Sequence, residues 1–270
     1  MAEQAPFTLE GWYALHQTFS VDWTALRALS HERDAIASDA ARVLKDLGAP
    51  PKAGWTAAFR LVGGGADLMV VHFRESLEDL AEAELRLRQS SAGPVLRLDY
   101  EYLSVTEAGL YQATTDAVEQ AKPGSKEYRA LLDEVGAVER ASAHVQSRLY
   151  PRIPEGMRFI SFYPMSKRRV DPDNWYLLPL HERNRLMRDH GLGARAFAGR
   201  IFQVIGGSLG LDDWEWGVTL FARDPLELKR IVTEMRYDEA SARYAEFGTF
   251  YTGFLLSPDD VEALLAPGQG

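Results

Sequence analysis

The chain has 270 residues, 46% hydrophobic and 26% charged, which suits one large soluble domain or two small ones. Its net charge of −9 argues against sequence-independent binding to nucleic acid. Cysteine is absent, which removes disulfides, thiolate catalysis, iron–sulfur clusters and cysteine zinc sites. No apolar run approaches the roughly 18 residues of a membrane helix. No basic head leads into an apolar core at the start, so a secretory signal is not expected. The expectation is a soluble protein of a reducing cytoplasm.

The first half reads as strand, helix, hairpin, helix, strand. Residues 12–19 form a β-like run. Residues 30–47 read as a helix, with Ser30 as its N-cap and Gly48 as its stop. Strands over 55–62 and 67–73 flank Gly63-Gly64-Gly65, which supplies the positive φ of a tight reversal. Ser76 caps a helix running to about Gln89, and residues 96–103 are strand-like. Lys122-Pro123-Gly124-Ser125 then breaks the pattern, and a linker over 126–156 carries a helix over about 126–148.

The second half repeats the order. Residues 157–163 form a strand, and Leu180 to His190 a helix stopped by Gly191. Strands over 200–205 and 214–221 flank a loop at Gly206-Gly207. Pro225 opens a helix that ends near Met235, and residues 249–256 are the last strand. Two segments align directly between the halves. Phe59-Arg60-Leu61-Val62-Gly63-Gly64 echoes Phe202-Gln203-Val204-Ile205-Gly206-Gly207. Phe73-Arg74-Glu75-Ser76-Leu77-Glu78 echoes Phe221-Ala222-Arg223-Asp224-Pro225-Leu226-Glu227 with one extra residue. The inference is an α+β protein of duplicated ferredoxin-like βαββαβ units with antiparallel sheets. Residues 1–125 would be a structural or assembly half, and residues 157–270 the half that carries the site.

Several side chains in the second half could carry chemistry. His190 shares a helix face with Leu186 and Met187, so its imidazole points inward. It is either a hydrogen-bonded core histidine or a ligand to an iron whose other ligands come from a porphyrin. Tyr163 ends a strand and shares its face with Phe159 and Ser161. It is either a packing ring or a redox-active phenol, with Lys167 four residues on as a possible anion partner or a plain surface charge. Gln203 lies between Ile201 and Ile205, which predicts a buried amide in need of partners, bonded to backbone or set in a pocket wall. Arg236 borders the buried face of its helix and could grip a carboxylate or cap the helix end.

Three apparent motifs fail. His181-Glu182 lacks the second histidine of a zinc-protease helix, because position 185 is arginine. Gly206-Gly207-Ser208-Leu209-Gly210 lacks the lysine of a phosphate loop. Asp212 and Asp213 are adjacent, so their carboxylates point apart rather than pairing as in a glycosidase.

The joint order of these residues is more specific than any one of them. Tyr163-Pro164-Met165-Ser166-Lys167-Arg168-Arg169, Asn174-Trp175-Tyr176, Leu186-Met187 with His190-Gly191, Ala198-Gly199, Gln203, Gly210-Leu211-Asp212-Asp213-Trp214-Glu215-Trp216-Gly217, Glu234-Met235-Arg236 and Ser241-Ala242-Arg243-Tyr244-Ala245-Glu246-Phe247-Gly248 follow one another. This pattern, over residues 157–254, closely resembles the coproheme decarboxylases, the hydrogen-peroxide-dependent heme synthases of the chlorite dismutase superfamily. The N-terminal half is compatible but carries weaker motifs.

The resemblance implies a dimeric α+β barrel fold and the last step of coproporphyrin-dependent heme synthesis. Iron coproporphyrin III would be both substrate and redox cofactor. It would lose two propionate carboxyls to hydrogen peroxide and become heme b. By motif, His190 would be a weak proximal iron ligand, and Tyr163 the tyrosyl radical that oxidises a propionate. Lys167 would pair with a propionate and assist proton transfer, Trp175 would lie near the second decarboxylation, and Gln203 would be the distal residue. Arg236 and Ser241 would hold propionates, with Arg148 as a third. A chlorite dismutase proper would place a distal arginine where this chain has Gln203, which counts against chlorite decomposition. A homopentamer and a transient contact with ferrochelatase are further expectations of the resemblance. A heme-binding or delivery protein without turnover, or a chlorite dismutase-like peroxidase, is the alternative.

Overall fold

A computed structural model describes residues 5–266. The N-terminal half runs β1 (Phe7–Val21), α1 (Trp23–Ala28), α2 (Arg33–Gly48), β2 (Gly54–Leu61), β3 (Leu68–Arg74), α3 (Leu77–Arg88) and β4 (Leu96–Leu110). Three helices follow: α4 (Tyr111–Gln120), α5 (Lys126–Ala141) and α6 (Ala143–Leu149). The C-terminal half runs β5 (Phe159–Lys167), α7 (Leu180–Arg195), β6 (Ile201–Gly207), β7 (Trp216–Ala222), α8 (Pro225–Met235), α9 (Glu239–Ala242), β8 (Ala245–Phe247), β9 (Tyr251–Leu256) and α10 (Pro258–Leu265).

Each half is a βαββαβ unit, as the repeat predicts. Strand order within the first is β4-β1-β3-β2, and within the second β6-β7-β5-β9, all antiparallel. Pairing of β4 with β6 and of β2 with β9 joins the two units edge to edge. Eight strands therefore close into one barrel, with short β8 added beside β9 on the edge of β5. Closure removes the sheet edges that would otherwise invite aggregation.

An eight-stranded barrel is just wide enough for side chains to fill. Here Trp12, Trp55, Phe59, Phe73, Tyr102, Ile160, Phe162 and Phe221 fill it. Phe59 of β2 reaches Phe221 of β7 across the interior, with ring centroids 6.1 Å apart. The barrel bore therefore has no room for a large ligand, and any such site must lie outside it, beneath the helices. Strands covered by helices outside and aromatics inside are buried on both faces. This is why β3 reads Leu68-Met69-Val70-Val71 without alternation and is buried along its whole length.

Local signals explain most element ends. Ser76 accepts from the Asp79 amide at the start of α3, whose Leu80, Ala83 and Leu87 are buried. Asp224 caps α8 just before Pro225. The three glycines 63–65 have φ of 76, 74 and 79°, as the reversal requires.

Other boundaries differ from expectation. Ser30 caps nothing: α2 begins at Arg33 behind Glu32, and the unpredicted α1 is capped by Asp22. Gly191 does not stop α7, which continues to Arg195. A helical glycine costs only about 1 kcal/mol, which packing of α7 on α4 and α8 offsets. The helix expected over 126–148 breaks at Ser142, whose extended backbone lets its hydroxyl cap α6. Gly206 and Gly207 belong to β6 rather than to a loop. The short elements α1, α9 and β8 are too brief to show a period, and α4 and α10 went unpredicted.

Candidate functional site

A cavity of about 1140 Å³ lies between the outer face of the sheet and α7. Pockets for ordinary small ligands occupy about 300–1,000 Å³, so this one accommodates something larger. Met165 and Lys167 of β5, Gln203 and Ile205 of β6, Trp216 and Val218 of β7, and Val105 and Glu107 of β4 form its sheet wall. Arg183, Met187, His190, Gly191 and Ala194 form the helix wall, spaced to fall on one stripe of α7. Trp175 and Arg148 complete it.

The cavity is walled by both halves, whereas the sequence reading expects the site in the second half alone. Glu107 of β4, Tyr111 of α4 and Thr8 of β1 all line it. The reason is the β4–β6 junction, which continues the second half's outer face onto the first half's last strand.

His190 is half-buried on the helix wall, with Nδ1 3.0 Å from Oδ2 of Asp238. An ionised carboxylate only accepts, so Nδ1 carries a proton, and in the neutral imidazole Nε2 is the nitrogen with the lone pair. Asp238 is itself fixed, accepting from the Ser241 amide and hydroxyl, each at 3.0 Å. Burial pushes the Asp238 carboxyl up, but the bonds from His190 and Ser241 outweigh it and hold it below its ordinary range. The result is an oriented imidazole. Among the described residues no group of three or more His, Asp or Glu side chains could hold a metal ion. A metal on His190 must therefore bring most of its ligands with it, as a porphyrin iron does.

Lys167 is buried, yet it ends on the cavity. Its Nζ donates to the Ala240 carbonyl at 2.9 Å and lies 4.4 Å from the Trp175 ring centroid. Burial pulls its ammonium down to about 8, against the raising effect of Asp238 and Glu215. Glu215 also accepts from the Lys167 backbone amide at 2.7 Å, which pins this end of β5. Trp175 is 1% exposed and packs edge-on against Tyr244.

Gln203 faces the cavity between Ile201 and Ile205, but it is half-buried rather than buried. Tyr163 lies outside the cavity lining. Its ring stacks on Phe250 with centroids 4.3 Å apart, beside Phe247. Burial raises its phenol well above the usual value, and the Arg236 charge partly opposes this. Arg236 sits 3.9 Å over the Phe247 ring at the end of α8. Burial lowers Arg148 on the cavity wall. His190, Lys167, Trp175, Gln203 and Arg148 thus share one cavity. Tyr163 and Arg236 form an aromatic and cationic cluster beyond its lining, and Ser241 is committed to Asp238.

Residues 33–256 match the chlorite dismutase family. The chain belongs to the chlorite dismutase family. It is 38% identical to a heme-binding protein from Thermus thermophilus, over 97% of this chain and 98% of that one, with a TM-score of 0.81. Chlorite dismutase of Candidatus Nitrospira defluvii, as an arginine-to-lysine variant, shares the fold at 16% identity. That match covers 96% of each chain with a TM-score of 0.71. The same enzyme in complex with imidazole gives the same identity, coverage and score. Membership fits the α+β fold. Among the described residues no helix is long and apolar enough to cross a membrane.

Sequence reasoning missed Asp238, Glu107, Glu215 and Arg183. Asp238 carried a local signal, since an aspartate three residues before Ser241 is a helix N-cap pattern. Nothing local tied it to His190, 48 residues earlier.

Proposed function

We propose that this chlorite dismutase-family chain is a coproheme decarboxylase acting in the cytoplasm. It would convert iron coproporphyrin III to heme b with hydrogen peroxide, as the last step of coproporphyrin-dependent heme synthesis. The observation that carries the reading is the pairing of walls. An oriented His190 with a free Nε2 stands on one, Gln203 on the other, and a porphyrin-sized cavity lies between them.

The residues present suit that substrate. His190 would hold the iron, while Lys167 and Arg148 on the cavity wall would address the propionates. Arg236, beyond the lining, and Ser241, whose hydroxyl donates to Asp238, would have to turn toward the porphyrin edge to join them. Gln203 would offer its amide to the distal ligand, and the face of Trp175 beside Lys167 would border the second reacting propionate. The bound iron porphyrin supplies the oxidising power drawn from peroxide. Each propionate gives carbon dioxide, a proton and two electrons on becoming a vinyl group. Each peroxide takes two electrons and two protons to become two waters, so two peroxides serve two propionates. Tyr163 is the side chain that would relay the oxidation, as a tyrosyl radical. The Arg236 charge beside it favours loss of the phenolic proton. A homopentameric assembly and a transient meeting with the ferrochelatase that supplies the substrate accompany this reading.

A heme-binding role without turnover is the second reading. It draws on the description of the Thermus relative and on the placement of Tyr163 outside the cavity lining. One experiment separates the two. Purified protein is loaded with iron coproporphyrin, titrated with peroxide and followed by mass spectrometry. Two successive losses of carbon dioxide plus two hydrogens are expected. A heme-type spectrum with no mass change supports the carrier instead.

A further inference from the structure

The sheet side of the cavity carries the carboxylates of Glu10 on β1, which is exposed and accepts from the Thr8 hydroxyl, and of Glu107, which is half-buried and has no task in the proposed function. Glu107 projects from β4 onto the same outer face as Gln203, Ile205 and Gly207 of β6, with Val105 and Gly207 in register. One carboxylate oxygen accepts from the Trp216 indole N–H at 2.8 Å. The other accepts no hydrogen bond from the described residues. It lies where a Cβ on Gly207 would stand, at 2.1 Å. Glycine at 207 thus leaves a recess for this carboxylate at the cavity surface.

Peroxide reacting on the sheet side must give up a proton and later see one returned to the departing water. Gln203 is an amide and cannot accept a proton at neutral pH. Lys167 stays largely protonated below about pH 8, and its ammonium already donates to Ala240. Glu10 is exposed and held by the Thr8 hydroxyl, which leaves Glu107 as the half-buried carboxylate on that wall to accept the proton. We propose that the Glu107 carboxylate, held by Trp216 in the recess over Gly207, takes the proton from hydrogen peroxide and returns it to the oxygen that leaves as water. The transfer is neutral overall: one O–H bond of peroxide breaks as one forms on Glu107, and the reverse exchange completes a water. The electrons still come from the propionates. The inference rests on the peroxide-dependent reading of the site.

The surroundings favour a basic carboxylate. Burial raises the Glu107 carboxyl, the Trp216 bond lowers it, and Glu10 across on β1 raises it. Tyr102 on the same strand and Tyr111 on α4 are coupled to it as neutral phenols, both raised chiefly by burial. The cations on the same cavity are Arg148 of α6, Arg183 and Arg188 of α7, and Lys167 of β5.

Glu107→Gln tests the idea, because glutamine keeps an oxygen for the Trp216 donor. In the porphyrin-free protein, infrared difference spectra on lowering the pH should show a protonated carboxyl band that disappears in Glu107→Gln. The Trp216 indole resonance should move with the same titration. In the loaded protein, iron coproporphyrin affinity should stay within about threefold, while the rate of reaction with peroxide falls about 100-fold or more. Glu107→Asp should recover part of that rate. Trp216→Phe removes a bond that favours the ionised form, so the acid limb of the rate profile should move to higher pH. An unchanged rate in Glu107→Gln, a loss explained wholly by weaker porphyrin binding, or an unmoved acid limb in Trp216→Phe would overturn the proposal. If Glu107 controls peroxide consumption but no vinyl product forms in the parent protein, the decarboxylase reading fails and the proton role stands.

Discussion

Nδ1 of His190 and Oδ2 of Asp238 lie 3.0 Å apart, joining the middle of α7 to the residue that caps α9. The bond fixes which ring nitrogen faces the cavity. Partners of a ligating histidine are typically worth 10–100-fold in metal affinity. Asp238→Asn is therefore expected to weaken iron porphyrin binding by about 10-fold or more and to alter the iron spectrum. Absorption titration against the parent protein checks both. His190→Ala should change the spectrum further, and an unchanged spectrum would place the ligand elsewhere.

Tyr163→Phe isolates the phenol from its ring. The stack on Phe250 survives the change, so the melting temperature should move little and porphyrin binding should persist. Decarboxylation should collapse. Turnover near that of the parent protein would remove Tyr163 from the electron path.

Lys167 predicts opposite pH trends for binding and stability. Its ammonium titrates near 8 in the fold against 10.5 when free. Below about pH 8 it is charged, and burying that charge costs stability. As pH rises from 8 to 10.5 the unfolded chain binds the extra proton, so this cost fades and stability rises. Affinity for the anionic porphyrin should fall over the same start, as the cation is lost. Lys167→Met should flatten both trends, read by denaturant midpoints and by porphyrin titration.

Two histidines in the first half predict acid lability. His16, stacked on Phe162 and bonded to Thr219, is lowered to about 3 by burial. His72, bonded to Thr56, is lowered to about 3 by burial and by Arg74. Both must be neutral to fold. Their contribution is complete above the unfolded value of 6.5 and is lost as pH falls from 6.5 towards 3. His16→Asn should reduce the slope of stability against pH in that window by up to one proton. Chemical denaturation at a series of pH values measures it.

Much of the fold is legible in the chain because its signals are local. The caps at Ser76 and Pro225, the glycine reversal at 63–65 and the echo of residues 59–64 in residues 202–207 are each readable within a few positions. Boundaries fail where packing overrides propensity, as in the continuation of α7 through Gly191. Gln203 shows the same limit within the site. Its strand face is correctly read from Ile201 and Ile205, but its burial is not, because alternation cannot tell a packed face from a cavity wall.

By itself, the order of residues determines the duplicated βαββαβ units and the family resemblance. It also marks which side chains in the second half are candidates to meet iron, anions or an oxidised intermediate. Tertiary structure alone decides that the eight strands close, that aromatics fill the bore, and that the cavity therefore lies outside it under α7. It also decides that Asp238 meets His190, that Glu107 of the first half shares a wall with Gln203, and that Tyr163 packs beside that wall against Phe250. The physical reason is range. Periodicity and capping act over one or two turns, whereas a cavity is made by strand register and helix packing between residues far apart in the chain.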